Sequence, residues 1–168
     1  VSPSAVEGWL AELGIEPVER QQRDGVAAWD VVLDGRRRFG VRATIILDPS
    51  VGCIVWVHYA PPLTDQVRRT YRRLLQWNDE LPFAKFALAE GERPVLETEI
   101  PTRWLDLDEF GLALARSLAI CDLLLDDSAA MIRATSVATP AEADAPTLPR
   151  NALLLARFED QLAELAVG

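Results

Sequence analysis

The run AWDVVLDGRRRFGVRATIILDPSVGCIVWVHY, Ala28 to Tyr59, decides the fold. Its first part alternates, with Trp29, Val31 and Leu33 on one side, and after Asp34-Gly35 the alternation resumes with Phe39, Val41, Ala43, Ile45 and Leu47. Successive side chains of a strand point to opposite faces, so this period of two is the pattern of a strand with one buried face. An Asp-Gly pair supplies the positive φ angles of a tight turn, and the two runs predict a hairpin around it. Asp48-Pro49-Ser50 with Gly52 then breaks the chain, and Cys53 to Tyr59, rich in β-branched and aromatic residues, predicts a third strand. Cys53, Val55, Val57 and Tyr59 line one face of it, Ile54 and Trp56 the other, so cover is expected on both faces.

Upstream of this meander, Trp9, Leu10 and Leu13 follow Ser4 at helical spacing, and Gly14 stands where a helix often ends. Downstream, Pro61-Pro62 stops the third strand. Thr64 is a candidate N-cap for a second helix whose Val67, Tyr71, Leu74 and Asn78 share a face, ending near Leu81-Pro82. Phe83 to Leu88 and Pro94 to Ile100, around Glu90-Gly91-Glu92, predict a second hairpin. Leu107 to Leu125 is helical and apolar well beyond the stripe Phe110, Leu114, Leu118, Cys121 and Leu125. Residues 135–149, with several prolines, are expected to be a flexible linker between a domain over 1–134 and an amphipathic helix over 150–168. Runs of strands separated by single helices predict an α+β fold: one antiparallel sheet packed with helices, in the order α-β-β-β-α-β-β-α plus the final helix.

Composition narrows the function. Hydrophobic residues make up 49% of the chain and charged residues 26%, enough apolar content for a core and unlike a disordered chain. A net charge of -9 argues against a surface built as a whole to grip nucleic acid or anionic lipid. No apolar run approaches the roughly 18 residues of a membrane helix, and the first residues do not read as a signal peptide, so a cytoplasmic protein is expected. Cys53 and Cys121 lie among apolar neighbours and are expected to be buried free thiols.

The residue types that carry catalysis or metal binding are sparse. The single histidine, His58, has no nucleophile or orienting acid marked beside it by any motif, and a half-buried or core position is expected. Two separated cysteines and one histidine do not make a zinc ligand set, and no glycine-rich phosphate loop is present. Asp106, Asp108 and Glu109 fit a favourable first helical turn, and Asp126-Asp127 a solvated stop. No enzyme activity and no cofactor are therefore expected. Arginines are the exception to this plainness. Arg68, Arg69, Arg72 and Arg73, with Trp77, form a basic ridge on the second helix, and Arg36, Arg37 and Arg38 sit at the first hairpin. The ridge fits either a solvated face paired to Asp65, Asp79 or Glu80, or a surface for an anionic partner or single-stranded nucleic acid.

The segment Leu75 to Leu88, with Asn78 ahead of Pro82-Phe83-Ala84-Lys85-Phe86, followed by Pro94 to Pro101, resembles the YbjN-like family of bacterial sensory transduction regulators. The order of elements up to about Asp127 is also similar to that of type III secretion chaperones. The resemblance implies a non-enzymatic homodimer that holds a client protein or regulates a partner, with a link to stress response; it carries over no catalytic residue. At Asn78 it implies a helix-ending, backbone-bonding role. The residues after Ala134 depart from the family. Burying one Leu or Ile contributes about 1.5–3 kcal/mol, so leaving several residues of the third helix wet would forgo much of the roughly 5–15 kcal/mol net stability of a domain. Leu112, Ile120, Leu123 and Leu124, with Leu154, Phe158 and Leu162 of the final helix, are accordingly the candidate dimer or client surface. A second copy is the commonest cover.

Overall fold

A computed structural model describes residues 1–60, 62, 68–134 and 149–163, with the backbone alone at 68–69 and 130–134. The expected cap Thr64, Val67 and nearly all of the expected linker lie outside the described residues.

Helix α1 spans Pro3–Glu12. Its N-cap is Ser2, whose hydroxyl accepts from the Ala5 N–H at 3.3 Å. At its end Gly14, at φ 68°, turns the chain so that Ile15 N–H returns to the Leu10 carbonyl at 2.8 Å, a left-handed cap. Strands β1 (Glu19–Arg23), β2 (Val26–Leu33), β3 (Val41–Asp48) and β4 (Gly52–His58) follow, then α2 (Arg68–Glu80), β5 (Lys85–Ala89) and β6 (Arg93–Pro101). A 3-10 turn at Thr102–Trp104 leads into α3 (Leu107–Leu123) and α4 (Leu125–Ala134). After the undescribed stretch come α5 (Ala152–Arg157) and α6 (Glu159–Ala163).

The fold class is the expected one, an antiparallel sheet with helices, and the sheet is six-stranded in the order β1-β2-β3-β4-β6-β5. The strand the sequence concealed is β1. All its residues are exposed, so it carries no alternation to betray it. The tight turn also sits elsewhere: Asp24 and Gly25, at φ 52° and 83°, join β1 to β2 in a two-residue loop between paired Arg23 and Val26. Asp34-Gly35 instead opens a longer loop that ends at Gly40, because Leu33 pairs with Val41. Another difference is at the end of α3. The helix breaks at Leu124 and continues as α4, so Asp126 and Asp127 open a new helix, where the dipole favours them, instead of closing the old one.

The buried face of the sheet is made by Ala27, Trp29, Val31, Leu33 of β2, Val41, Ala43, Ile45, Leu47 of β3, and Cys53, Val55, Val57 of β4. Helix α3 packs across β4 and β6, α2 against β5, and α1, α5 and α6 against α3. Trp9 meets Phe110 at 5.7 Å between ring centroids, and Trp77 wedges beside Tyr59 and Phe86 at 6.3 and 5.4 Å. The described helices thus share one face of the sheet. The alternate residues of the same strands are half-buried, or exposed at Arg42, so the expected cover on the second face of β4 is not found among the described residues.

Candidate functional site

The apolar surplus of α3 is met within the chain. Of the residues singled out for a dimer or client surface, Leu112 and Leu162 are 9% exposed, Leu124 6%, Phe158 3%, Leu154 1% and Ile120 0%; Leu123, at 52%, stands outside. The cover is the segment from 149 to 163, a pair of short helices bent at Phe158 where one amphipathic helix was expected. It is seated by shape. A Cβ at Gly111 would lie 2.7 and 2.8 Å from two ring carbons of Phe158, so the ring occupies a notch that only glycine leaves open.

Polar groups latch the same segment to the β2–β3 loop. Asp34, 1% exposed, donates its N–H to Asn151 Oδ1 at 2.9 Å, and its carboxylate accepts the N–H groups of Arg150 at 3.0 Å and Gly40 at 2.8 Å. Asp122, near the end of α3, accepts three backbone N–H groups, of Arg36 at 2.6 Å, Arg37 at 3.0 Å and Arg38 at 2.7 Å. Gly35 permits that approach, since a Cβ there would sit 2.5 Å from Asp122 Oδ1. The hairpin arginines are thereby occupied in structure: Arg36 pairs with Glu159 at 3.1 Å, Arg37 with Asp126 at 2.9 Å, and Arg38 bonds the Tyr59 carbonyl.

The ridge on α2 is divided. Arg73 pairs with Asp127 at 2.7 Å and lies over the Trp77 ring at 5.3 Å, whereas Arg72 is exposed. Side chains of Arg68 and Arg69 are outside the described residues. Trp77 is fully buried, so its ring is inside the core and not on a surface where a base could stack. Asn78 ends up bonding backbone, but of β5: its side chain accepts the Phe86 N–H at 2.6 Å and donates to the Phe86 carbonyl at 3.0 Å. It stands in for a neighbouring strand and closes that edge of the sheet.

What the described residues leave open is the second face of the sheet. The register places Ala28, Ile46, Ile54 and Glu99 side by side across β2, β3, β4 and β6, and next to them Asp30, Thr44, Trp56 and Glu97. Ile46, Ile54 and Trp56 are half-buried, an apolar strip along the middle of a face where an open sheet ordinarily turns polar to water. Trp56 Nε1 donates to Glu97 at 2.7 Å. Beyond the strip, Thr44 Oγ1 lies 2.6 Å from Asp30 Oδ1 and 2.9 Å from His58 Nε2. Assigned from this network, the single hydroxyl proton goes to the carboxylate, so Nε2 of neutral His58 must donate to Thr44 and Nδ1 is left as the bare nitrogen. Nδ1 has no partner. Burial lowers the His58 pKa, helped by Arg93 and Arg42 and opposed by Asp30.

That arrangement has a chemical consequence. A histidine already donating to a hydroxyl cannot take its proton, so Thr44 and His58 do not form a nucleophile–base pair. The thiols offer no alternative, since burial pushes Cys53 and Cys121 up to about 12, far from the thiolate form. Among the described residues no group of three His, Cys, Asp or Glu is placed to hold a metal ion, and no helix is long and apolar enough to cross a membrane. The Asp30–Thr44–His58 row was missed in the sequence because its members lie on three strands. Their only signal was that each falls on the less apolar side of its own alternation.

Residues 2–128 match the family model described as "YbjN: Putative bacterial sensory transduction regulator". No curated protein and no solved structure matches the chain. The matched region contains the whole sheet and α1 to α3, and it excludes the segment that covers α3.

Proposed function

Because the chain belongs to the YbjN family of bacterial regulators, we propose that it is a non-enzymatic regulator that works by binding protein, pairing first with a second copy of itself and holding a client or partner as that dimer. The observation that carries this reading is the sheet face that the described residues leave uncovered, with Ile46, Ile54 and Trp56 at its centre. The argument for a dimer from unhidden apolar surface thus moves from α3, which the segment 149–163 covers, to the sheet. Two such faces stack about 10 Å apart in a sandwich, and a two-fold axis makes one patch its own complement. The stress-response link implied by the family resemblance suits a protein of this kind. For the single-stranded nucleic-acid reading, burial of Trp77 removes the stacking platform.

Sedimentation velocity tests the proposal. A species of twice 18.6 kDa is expected at micromolar concentration. Ile54→Arg, with the far-ultraviolet circular dichroism and melting temperature measured alongside, should return a folded monomer. A wild-type monomer at every concentration, or an Ile54→Arg dimer of unchanged affinity, would overturn it.

A further inference from the structure

At one end of the open face the sheet holds a cavity of about 770 Å³ whose walls include Arg38, Arg42, Arg93, His58, Thr44 and Asp30. We propose that this cavity is a binding site for an oxyanion of phosphate type, held between the guanidinium groups of Arg42 and Arg93 and against His58. The inference does not rest on the dimer, whose apolar strip is the neighbouring part of the face.

Register brings the groups together. His58 of β4 pairs with Val95 of β6, and Arg93 lies two residues further along β6 on the same face. Across the other side of β4, the last ladder pair is Ala43 with Val57, so Arg42 of β3 comes next to His58. Both arginines are close enough to act on the imidazole electrostatically. In a chain of net charge -9, Arg20, Arg36, Arg37, Arg73, Arg150 and Arg157 all have carboxylate partners within 4.0 Å. The side chains of Arg42 and Arg93 have no hydrogen bond or ion pair to any described residue. Two guanidiniums left unpaired at a concave site are what a planar or tetrahedral oxyanion requires.

His58 completes the arrangement. Its Nε2–H is committed to Thr44, and Nδ1 is buried and unpartnered. An oxyanion on the arginines supplies an acceptor for Nδ1 once that nitrogen takes a proton. Binding is therefore coupled to proton uptake: the anion raises the affinity of His58 for a proton, and the protonated ring raises the affinity for the anion. The charged groups that face the ring are Asp30 of β2, Arg42 of β3 and Arg93 of β6, with Glu19 of β1 and Arg38 of the β2–β3 loop in the same walls. Asp30 is held to Thr44 and, among the described residues, forms no ion pair within 4.0 Å with either arginine.

His58 is the only histidine, so its ring protons can be followed by proton NMR in the tag-free chain without assignment. The titration is run in sodium chloride, then at matched ionic strength with sulfate, which keeps its charge over the whole range, with inorganic phosphate and with glycerol 3-phosphate. In chloride the midpoint is expected below that of a free histidine. Saturating oxyanion should raise it by about one unit, which by linkage is a roughly tenfold gain in affinity from high to low pH. Arg42→Gln and Arg93→Gln should each reduce that rise, and Arg93→Gln should lift the midpoint in chloride with far-ultraviolet circular dichroism and melting temperature unchanged, which separates it from the rise that unfolding would bring. A rise with sulfate or inorganic phosphate identifies a free anion as sufficient; a rise with glycerol 3-phosphate alone identifies a phosphate ester. Midpoints that agree in all four solutions, or a rise that survives the Arg42→Gln/Arg93→Gln double variant, would overturn the site.

Discussion

Placing an alanine at Gly111 should have opposite effects with and without the ring of Phe158. Glycine in a helix interior is normally a weakness, and replacing it by alanine stabilises by about 0.5–1 kcal/mol. Here the new methyl would fall 2.7 Å from Phe158 and 3.4 Å from Leu13 Cδ1. The second contact is ordinary; the first requires a 3%-exposed ring to leave its notch. Overpacking of that kind costs about 1–3 kcal/mol, so Gly111→Ala should destabilise the wild-type chain by about 1–2 kcal/mol after the helical gain is subtracted. Phe158→Ala alone should cost as much as about 3–5 kcal/mol, the range for a buried phenylalanine, unless the segment undocks first and limits the loss. In the Phe158→Ala background Gly111→Ala should then stabilise. Urea denaturation followed by tryptophan fluorescence gives the four stabilities, and the coupling should be about 1.5–3 kcal/mol. A Gly111→Ala substitution that stabilises both backgrounds alike would show that the ring does not sit on α3, and the account of the covered helix would fail.

Two further outcomes follow from the polar geometry. Asn78→Ala leaves the Phe86 N–H and carbonyl without their partner at the β5 edge and should cost about 1–2 kcal/mol in the same denaturation assay, and Asn78→Asp, which still accepts but sets a carboxylate against the Phe86 carbonyl near a helix C-terminus, should not be cheaper; no loss in either would refute the strand-substitute role. His58 has its folded pKa lowered, chiefly by burial, so below the unfolded value of 6.5 the unfolded chain binds the proton more readily and stability falls as pH falls. In chloride buffer, His58→Gln should remove that part of the slope just below pH 6.5, and an unchanged slope would mean that the ring titrates as if free.

How much of this was written in the sequence depends on how each residue is read. Alternation at Trp29, Val31, Leu33 and at Val41 to Leu47 depends only on burying one face, and the strands are where it places them. Strand β1 has no buried residue, so it is held by the ladder to β2 and by the Asp24-Gly25 turn, and composition cannot reveal it. Asp-Gly is a local signal, yet Asp34 has a buried carboxylate serving Arg150 and Gly40, a tertiary demand that outweighs turn propensity. The apolar excess of α3 was legible; that its cover lies in the same chain was not, since nothing in the spacing of Leu154, Phe158 and Leu162 says which surface they meet. The Asp30–Thr44–His58 row needs the register of β2, β3 and β4, which side-chain period fixes only modulo two.

Concentration-dependent hydroxyl-radical labelling of the tryptophans tests most directly whether the open sheet face is the binding surface. Trp104, 59% exposed, and Trp29 and Trp77, at 1% and 0%, are internal standards that should label at constant high and low levels. Trp56, half-buried at the centre of the open face, should become protected as the concentration rises through the association range. Trp56 labelling that stays constant while the mass doubles would place the contact elsewhere and contradict the account.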